Sequence, residues 1–306
     1  MRDEAQRTRS SLPATAGGSQ HGAFGWTEWG LLAGTALIWG SSFLLMEVGL
    51  EAFSPGVITM TRVGLGAATL AMFPKARTPI RAEDRRRVGL LGVIWIAIPL
   101  TLFPIAQQWI DSSVAGMLNG GVPIAAAVWA TLLLGRLPGW RQLVGIAIGF
   151  IGVVAIFLPE ARNSSATALG AALVILAVVL YGLSTNLAVP LQQRYGALPV
   201  LLRAQLVALV VVVPFGLIQL PGSTWAWDSA LAMVPLGVLG TGVAFVLMAN
   251  LVGRAGAPRG SVSTYFIPIV AIALGVIVLG ERVVPLALVG TALVVLGAWI
   301  TSRSER

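Results

Sequence analysis

The chain has 306 residues, of which 57% are hydrophobic and only 10% charged, against the roughly 25% charged residues of soluble domains. That balance excludes an ordinary soluble fold and reads as a membrane protein. The absence of cysteine and a single histidine exclude disulfides, thiolate nucleophiles and cysteine-held iron–sulfur clusters, and no metal or other cofactor is expected.

Residues 1–27 are polar and rich in Ser, Gly, Thr and Arg, the composition of a disordered tail. No short apolar segment with a small-residue cleavage site precedes the first apolar run, so no removed signal peptide is expected. Beyond the tail, charges cluster and leave apolar runs at 29–49, 55–74, 88–110, 112–135, 142–159, 163–193, 204–227, 229–253, 260–280 and 283–302. A membrane helix needs about 20 such residues to cross about 30 Å of hydrocarbon, so ten spans are predicted.

In the first span Trp39, Phe43 and Glu47 are spaced four apart and share a helical face, beside Ser41 and Ser42. Turned inward, that face offers an aromatic wall, hydroxyls and a carboxylate; turned otherwise, it is core packing with Ser42 bonded to its own helix. Arg62 lies inside the second span, where either snorkelling accounts for it or Glu47, near the outer end of the preceding span, is its ion-pair partner, the pair helping to form the cavity or its outer gate. The linker "KARTPIRAEDRRR" follows, and Lys75, Arg77, Arg85, Arg86 and Arg87 are expected to meet anionic lipid. A net charge of +8 is thereby read as topology and lipid contact, not nucleic-acid binding.

Further candidates for a substrate path are Gln107 and Gln108 in the third span, Asn119 in the fourth, Tyr181, Ser184 and Asn186 in the sixth, Asn250 in the eighth, and Ser263, Thr264 and Tyr265 in the ninth. Tyr181 and Tyr265 are the preferred substrate-facing pair, each offering a π-face and a hydroxyl. Some of these groups only bond between helices. Pro123, after "GMLNGG", and Pro268 each remove a backbone bond within a span, giving either a hinge or a static kink. "GIAIG" at 145–149 has GxxxG spacing, which suits tight packing within the chain or dimerisation. Arg203 sits at a span end, where snorkelling accounts for it. Glu281 opens the tenth span as a turn and cap residue, with gating as its other reading.

A spacing of 145 residues pairs Leu134–Gly135 with Leu279–Gly280, Pro123 with Pro268, Gly145 with Gly290 and Gly152 with Gly297. More weakly, "IWGSS" at 38–42 matches "LYGLS" at 180–184, and Arg62 matches Arg203 after a one-residue shift. Each copy, 28–158 and 165–302, then holds five spans, and an odd number turns the second copy upside down, giving an all-α inverted repeat. Sixteen Lys and Arg residues fall on the side of the N-terminal tail and two, Arg162 and Arg282, on the other. Both termini are therefore predicted to be cytoplasmic. The inversion also explains why Arg136 and Glu281, at equivalent turns, differ in sign.

Taken together, "WGSSF" at 39–43, Arg62, Pro123 followed by "LLLG" at 132–135, and "STYFIPIVAIALGVIVLGERVVPLALVGTALVVLG" at 263–297 make the chain similar to the EamA branch of the drug/metabolite transporter superfamily. The resemblance implies a central substrate cavity between two inverted five-helix halves and export of metabolites, amino acids or drugs across a bacterial inner membrane. The chain departs from the pattern at Arg136, where many relatives carry an acid in both copies. An enzyme would need a nucleophile with a base, paired acids or metal ligands, and a channel a ladder of like polar groups; neither pattern is present. No GxxxxGK[ST] loop occurs, so transport would be secondary or facilitated, with Glu47 the carboxylate placed to carry a proton.

Overall fold

The computed structural model describes residues 25–135, 139–255 and 261–301. The expected tail up to residue 24, Arg136 and residues 256–260 lie outside them. All regular structure among the described residues is helical. In chain order the apolar helices are α1 (Trp26–Leu50), α2 (Pro55–Ala71), α3 (Ala82–Ala106), α4 (Ser112–Leu133), α5 (Trp140–Asn163), α6 (Ser165–Tyr195), α7 (Ala197–Gly222), α8 (Trp227–Leu251), α9 (Ser263–Leu279) and α10 (Pro285–Ile300). Seven of them are long and apolar enough to cross a membrane; α9 and α10 are shorter apolar helices, and α2 has 17 residues.

Local chemistry sets the ends. Ser54 and Pro55 open α2 with an extended residue followed by proline at the first helical position. Ser164 separates α5 from α6 and accepts a hydrogen bond from the Thr167 backbone N–H at 3.1 Å. Gly135 and Gly280, at φ 60° and 70°, end α4 and α9 in the left-handed conformation that other residues resist. They are the pair matched at 145 residues in the sequence.

Two further irregularities recur at that spacing. α4 breaks at Gly120–Gly121 and restarts at Val122, while α9 begins as a tight 3-10 turn to Phe266 and becomes α-helical at Ile267. Pro123 and Pro268 thus each occupy the second residue of a fresh α segment, where the missing N–H costs least. Within α3, Gly92–Ala97 is wound as a π-helix, and within α8 so is Leu236–Val243. Such wide turns are rare and collect at functional sites.

Packing exchanges elements between the two copies. α2 lies on the π turn of α8, and α7 on the π turn of α3; α1 packs against α9, and α6 against α4. The contacts are too close for side chains: a methyl on Gly40 would stand 2.5 Å from the Val270 Cβ, and one on Gly182 would stand 2.7 Å from the Ala125 Cβ. α5 and α10 meet along glycines, since a methyl on Gly152 would lie 2.6 Å from the Gly290 carbonyl oxygen and one on Gly297 would lie 2.5 Å from that of Gly145. "GIAIG" therefore serves packing within this chain. A core including Phe43, Met46, Ile58, Phe103, Met117, Leu118, Ile156 and Val174 fills the centre.

Candidate functional site

Polar and aromatic side chains from both copies converge on a layer between α1, α2, α3, α6, α7 and α8. Arg62 of α2 is 5% exposed. Its Nε donates to the Thr241 hydroxyl at 3.2 Å and its Nη1 to the Met46 sulfur at 3.2 Å. Thr241 stands in the π turn of α8. Its hydroxyl donates in turn to the Leu236 carbonyl at 3.2 Å, and its carbonyl accepts from the Gln205 amide of α7 at 2.8 Å. The Gln205 side chain is fully buried, and its Oε1 has no hydrogen-bond partner.

The expected Glu47–Arg62 ion pair does not form. Neighbouring residues on a helix point about 100° apart, and it is Met46, not Glu47, that faces Arg62. Glu47 turns to α3 instead, where Gln107 donates to its Oε2 at 3.0 Å and to the Phe43 carbonyl at 2.9 Å. The Gln107 Oε1 is buried without a partner.

Aromatic rings border these groups. Phe43 meets Phe103 edge to face at 5.6 Å, and Phe103 stacks on Tyr181 at 6.0 Å. Tyr181 is half-buried and packs against the same hydrophobic core as Phe43, Met46 and Phe103. Trp39 donates to the Gly240 carbonyl at 3.1 Å and packs on Phe245 at 5.4 Å, and Trp95 packs on the same ring at 6.2 Å. Trp39 is thereby tied to the α8 π turn, and Trp95 lies within that of α3.

Other sequence candidates take structural places. Ser42 donates to its own helix at Ile38. Asn186 donates to the Ala126 and Gly182 carbonyls, both at 2.9 Å, and so joins α6 to α4. Tyr265 is buried, and its hydroxyl donates to the Ala298 carbonyl at 2.9 Å, tying α9 to α10. Asn250 is exposed and bonds to Val246 one turn back. Ser184 is fully buried with no partner for its hydroxyl, and Asn119 is half-buried at the break in α4. The layer therefore brings together Trp39, Phe43, Arg62 and Tyr181, and excludes Asn250 and the Tyr265 hydroxyl. It also contains Thr241, Gln205, Phe103, Trp95 and Phe245, which the sequence reading passed over. Thr241 and Gln205 could have been found as polar residues inside apolar spans.

Glu281 holds a second polar site, at the start of α4. Its Oε1 accepts from the Ser112 N–H at 2.9 Å and the Ser112 hydroxyl at 2.6 Å, and its Oε2 accepts from the Ser113 N–H at 2.9 Å. The carboxylate caps α4, not the helix that follows it in sequence. Beside it, partial burial and the Glu281 charge push the Asp111 carboxyl above its ordinary range, although Asp111 stays open to solvent on one side. At the end of the bundle formed by the 75–87 linker, Lys75, Arg77, Arg85, Arg86 and Arg87 are all exposed. There Asp84 is buried, accepting from Arg194 and from the Tyr195 hydroxyl, each at 2.7 Å.

The family model described as the EamA-like transporter family matches residues 28–158 and again 168–303. A protein of Streptantibioticus cattleyicolor named "probable terminal-alkyne amino-acid exporter" is 28% identical over 280 residues, 90% of this chain and 93% of that protein. An uncharacterized transporter of Archaeoglobus fulgidus is 26% identical over 282 residues, 91% of this chain and 99% of that one. A crystal structure at 18% sequence identity superposes with a TM-score of 0.61 over 87% of this chain and 97% of the other, which concerns the fold alone.

Proposed function

The chain belongs to the EamA-like transporter family, and from that premise we propose that it is a secondary transporter that exports small metabolites such as amino acids, or drug-like compounds, by alternating access. On this reading it has ten spans, arranged as two inverted five-helix units at 28–158 and 165–302, in a bacterial plasma membrane with both termini cytoplasmic. The recurrence of left-handed glycines, restarted helices and π turns at one spacing supports the repeat. The excess of Lys and Arg on the side of the tail supports the orientation.

The observation that carries the transport reading is the layer around Arg62, Gln107, Gln205, Tyr181 and Trp39. Polar groups are expensive inside a bilayer and mark pathways, and this layer draws on both copies, so relative movement of the copies would reshape it. The segments that restart at Pro123 and Pro268 supply the points at which α4 and α9 bend. Glu47 is free of Arg62 and serves as the proton-carrying carboxylate, while Glu281, holding the entry of α4, serves as an outer gate. The exposed basic linker side chains rest on anionic headgroups.

Flux into and out of liposomes containing the purified protein tests this, with amino acids and hydrophobic cationic compounds offered with and without an imposed pH gradient. The expected outcome is gradient-driven flux of one class, abolished by Tyr181→Ala and uncoupled from pH by Glu47→Gln. Flux that only equilibrates would make the protein a facilitator and remove the proton role of Glu47.

A further inference from the structure

The Arg62 guanidinium is a full positive charge, 5% exposed, whose bonded neighbours are a hydroxyl and a thioether. Neither is an anion, and a charge withdrawn from water is normally matched by one. The fork carries five N–H donors; Thr241 and Met46 take one each, leaving three without an acceptor among the described residues. The obvious internal partner, Glu47, is engaged by Gln107 on another face of α1.

A second observation lies one bond away. Thr241 accepts from Arg62 through its hydroxyl and from Gln205 through its carbonyl, so the two side chains are held on one residue. Gln205 spends its amide N–H there and leaves Oε1 buried and unpartnered. The pair therefore offers an unmatched cation with spare donors beside an unmatched neutral acceptor. The stacked rings of Phe103 and Tyr181 belong to the same hydrophobic cluster as Met46, the residue that accepts from Arg62.

We propose that Arg62 is the anion-binding residue of the transport site, receiving a substrate carboxylate, with Gln205 Oε1 accepting an N–H from the same molecule. The substrate class is an amino acid with an apolar or aromatic side chain, whose body rests on Phe103 and Tyr181. The inference rests on the transport reading above and narrows its substrate. A planar guanidinium suits a carboxylate because two parallel N–H groups match its two oxygens. Arg62 is 5% exposed and Gln205 fully buried, so a ligand reaches both only in a conformation of the transport cycle that parts the helices around this layer. Thr241 acts as a positioning residue, fixing Nε, while Met46 takes one Nη1 N–H and the second Nη1 N–H and both Nη2 N–H groups remain for the ligand.

The test uses the full-length protein in liposomes and three probes of similar size: L-phenylalanine, 3-phenylpropionate, which lacks the ammonium, and phenethylamine, which lacks the carboxylate. L-phenylalanine should be transported, 3-phenylpropionate should compete with it, and phenethylamine should compete at least roughly 10-fold more weakly, the difference expected when a charged hydrogen bond is lost. Arg62→Gln should lower phenylalanine flux roughly 10- to 100-fold, and Arg62→Lys should recover part of it. Gln205→Leu should weaken phenylalanine but leave competition by 3-phenylpropionate within about twofold. Phenethylamine competing as well as phenylalanine in the unaltered protein would overturn the proposal without any variant having to fold. So would Arg62→Gln supporting full flux. Absence of flux with every amino acid and cationic compound would instead count against the transport reading itself.

Discussion

Arg62 lies in α2 and Arg203 in α7, paired in sequence after a one-residue shift, yet their surroundings differ. Arg203 reaches the end of the bundle and donates to the backbone carbonyls of Ala76 and Arg77, where its charge stays near water and the linker turn gains an anchor. Arg62 stays inside, on a hydroxyl and a sulfur. The two copies share a scaffold, down to the turn glycines and the π segments, while the chemistry at equivalent positions has diverged. Packing is the conserved half of the design and the polar layer is the specialised half.

The sharpest way to break that comparison is to neutralise each arginine in turn. Arg62→Leu should remove transport, a loss of more than about 10-fold in liposome flux, while monodisperse protein is still recovered on size exclusion. Arg203→Leu should leave flux within about twofold and cost about 1 kcal/mol in thermal stability through its two backbone contacts. Equal losses of flux would erase the distinction between the two sites.

Next in size are changes to the shared scaffold. Gly290→Val places branched carbon against the Gly152 carbonyl and should destabilise the bundle by about 1–3 kcal/mol through overpacking, read as a lowered unfolding midpoint in detergent. Glu281→Ala removes all three hydrogen bonds at the start of α4 and should cost about 1–2 kcal/mol, the range for a lost helix cap.

The smallest effect concerns Asp111. Its folded pKa is raised, so the folded state binds its proton more tightly than the unfolded chain does. Stability from this group is therefore lost as pH rises through the ordinary Asp value of about 4 and on through the raised one. Asp111→Asn should raise the unfolding midpoint slightly at neutral pH, and the difference should vanish below about pH 4.

Hydropathy read the apolar runs well, because an uncharged stretch long enough to cross a bilayer has few alternatives. The 145-residue register was legible because glycine and proline mark backbone geometry, and the backbone does turn at Gly135 and Gly280 and restart beside Pro123 and Pro268. The polar layer was only half legible. Glu47 and Arg62 were both singled out, but a one-residue difference in helical phase decides which side chain meets the arginine, and residue spacing does not carry that phase between helices. Tyr265 and Asn186 were read as lining because polarity in a span signals either a pathway or a tie between helices, and both turned out to bond neighbouring backbones. The π turns left no trace in hydropathy, which does not distinguish a backbone bonded five residues back from one bonded four back.

The seam between α5 and α10 has a property of its own. Exchanging residues 145 positions apart turns the Gly145–Gly297 contact into the Gly290–Gly152 contact, so the seam maps onto itself. A surface that reads identically from either partner is how twofold homodimers are joined, here enclosed within one polypeptide. Were the gene divided at the codon for Ser164, between α5 and α6, each product would carry one complementary face. Folding of the whole would then become a bimolecular event governed by the concentrations of the two fragments.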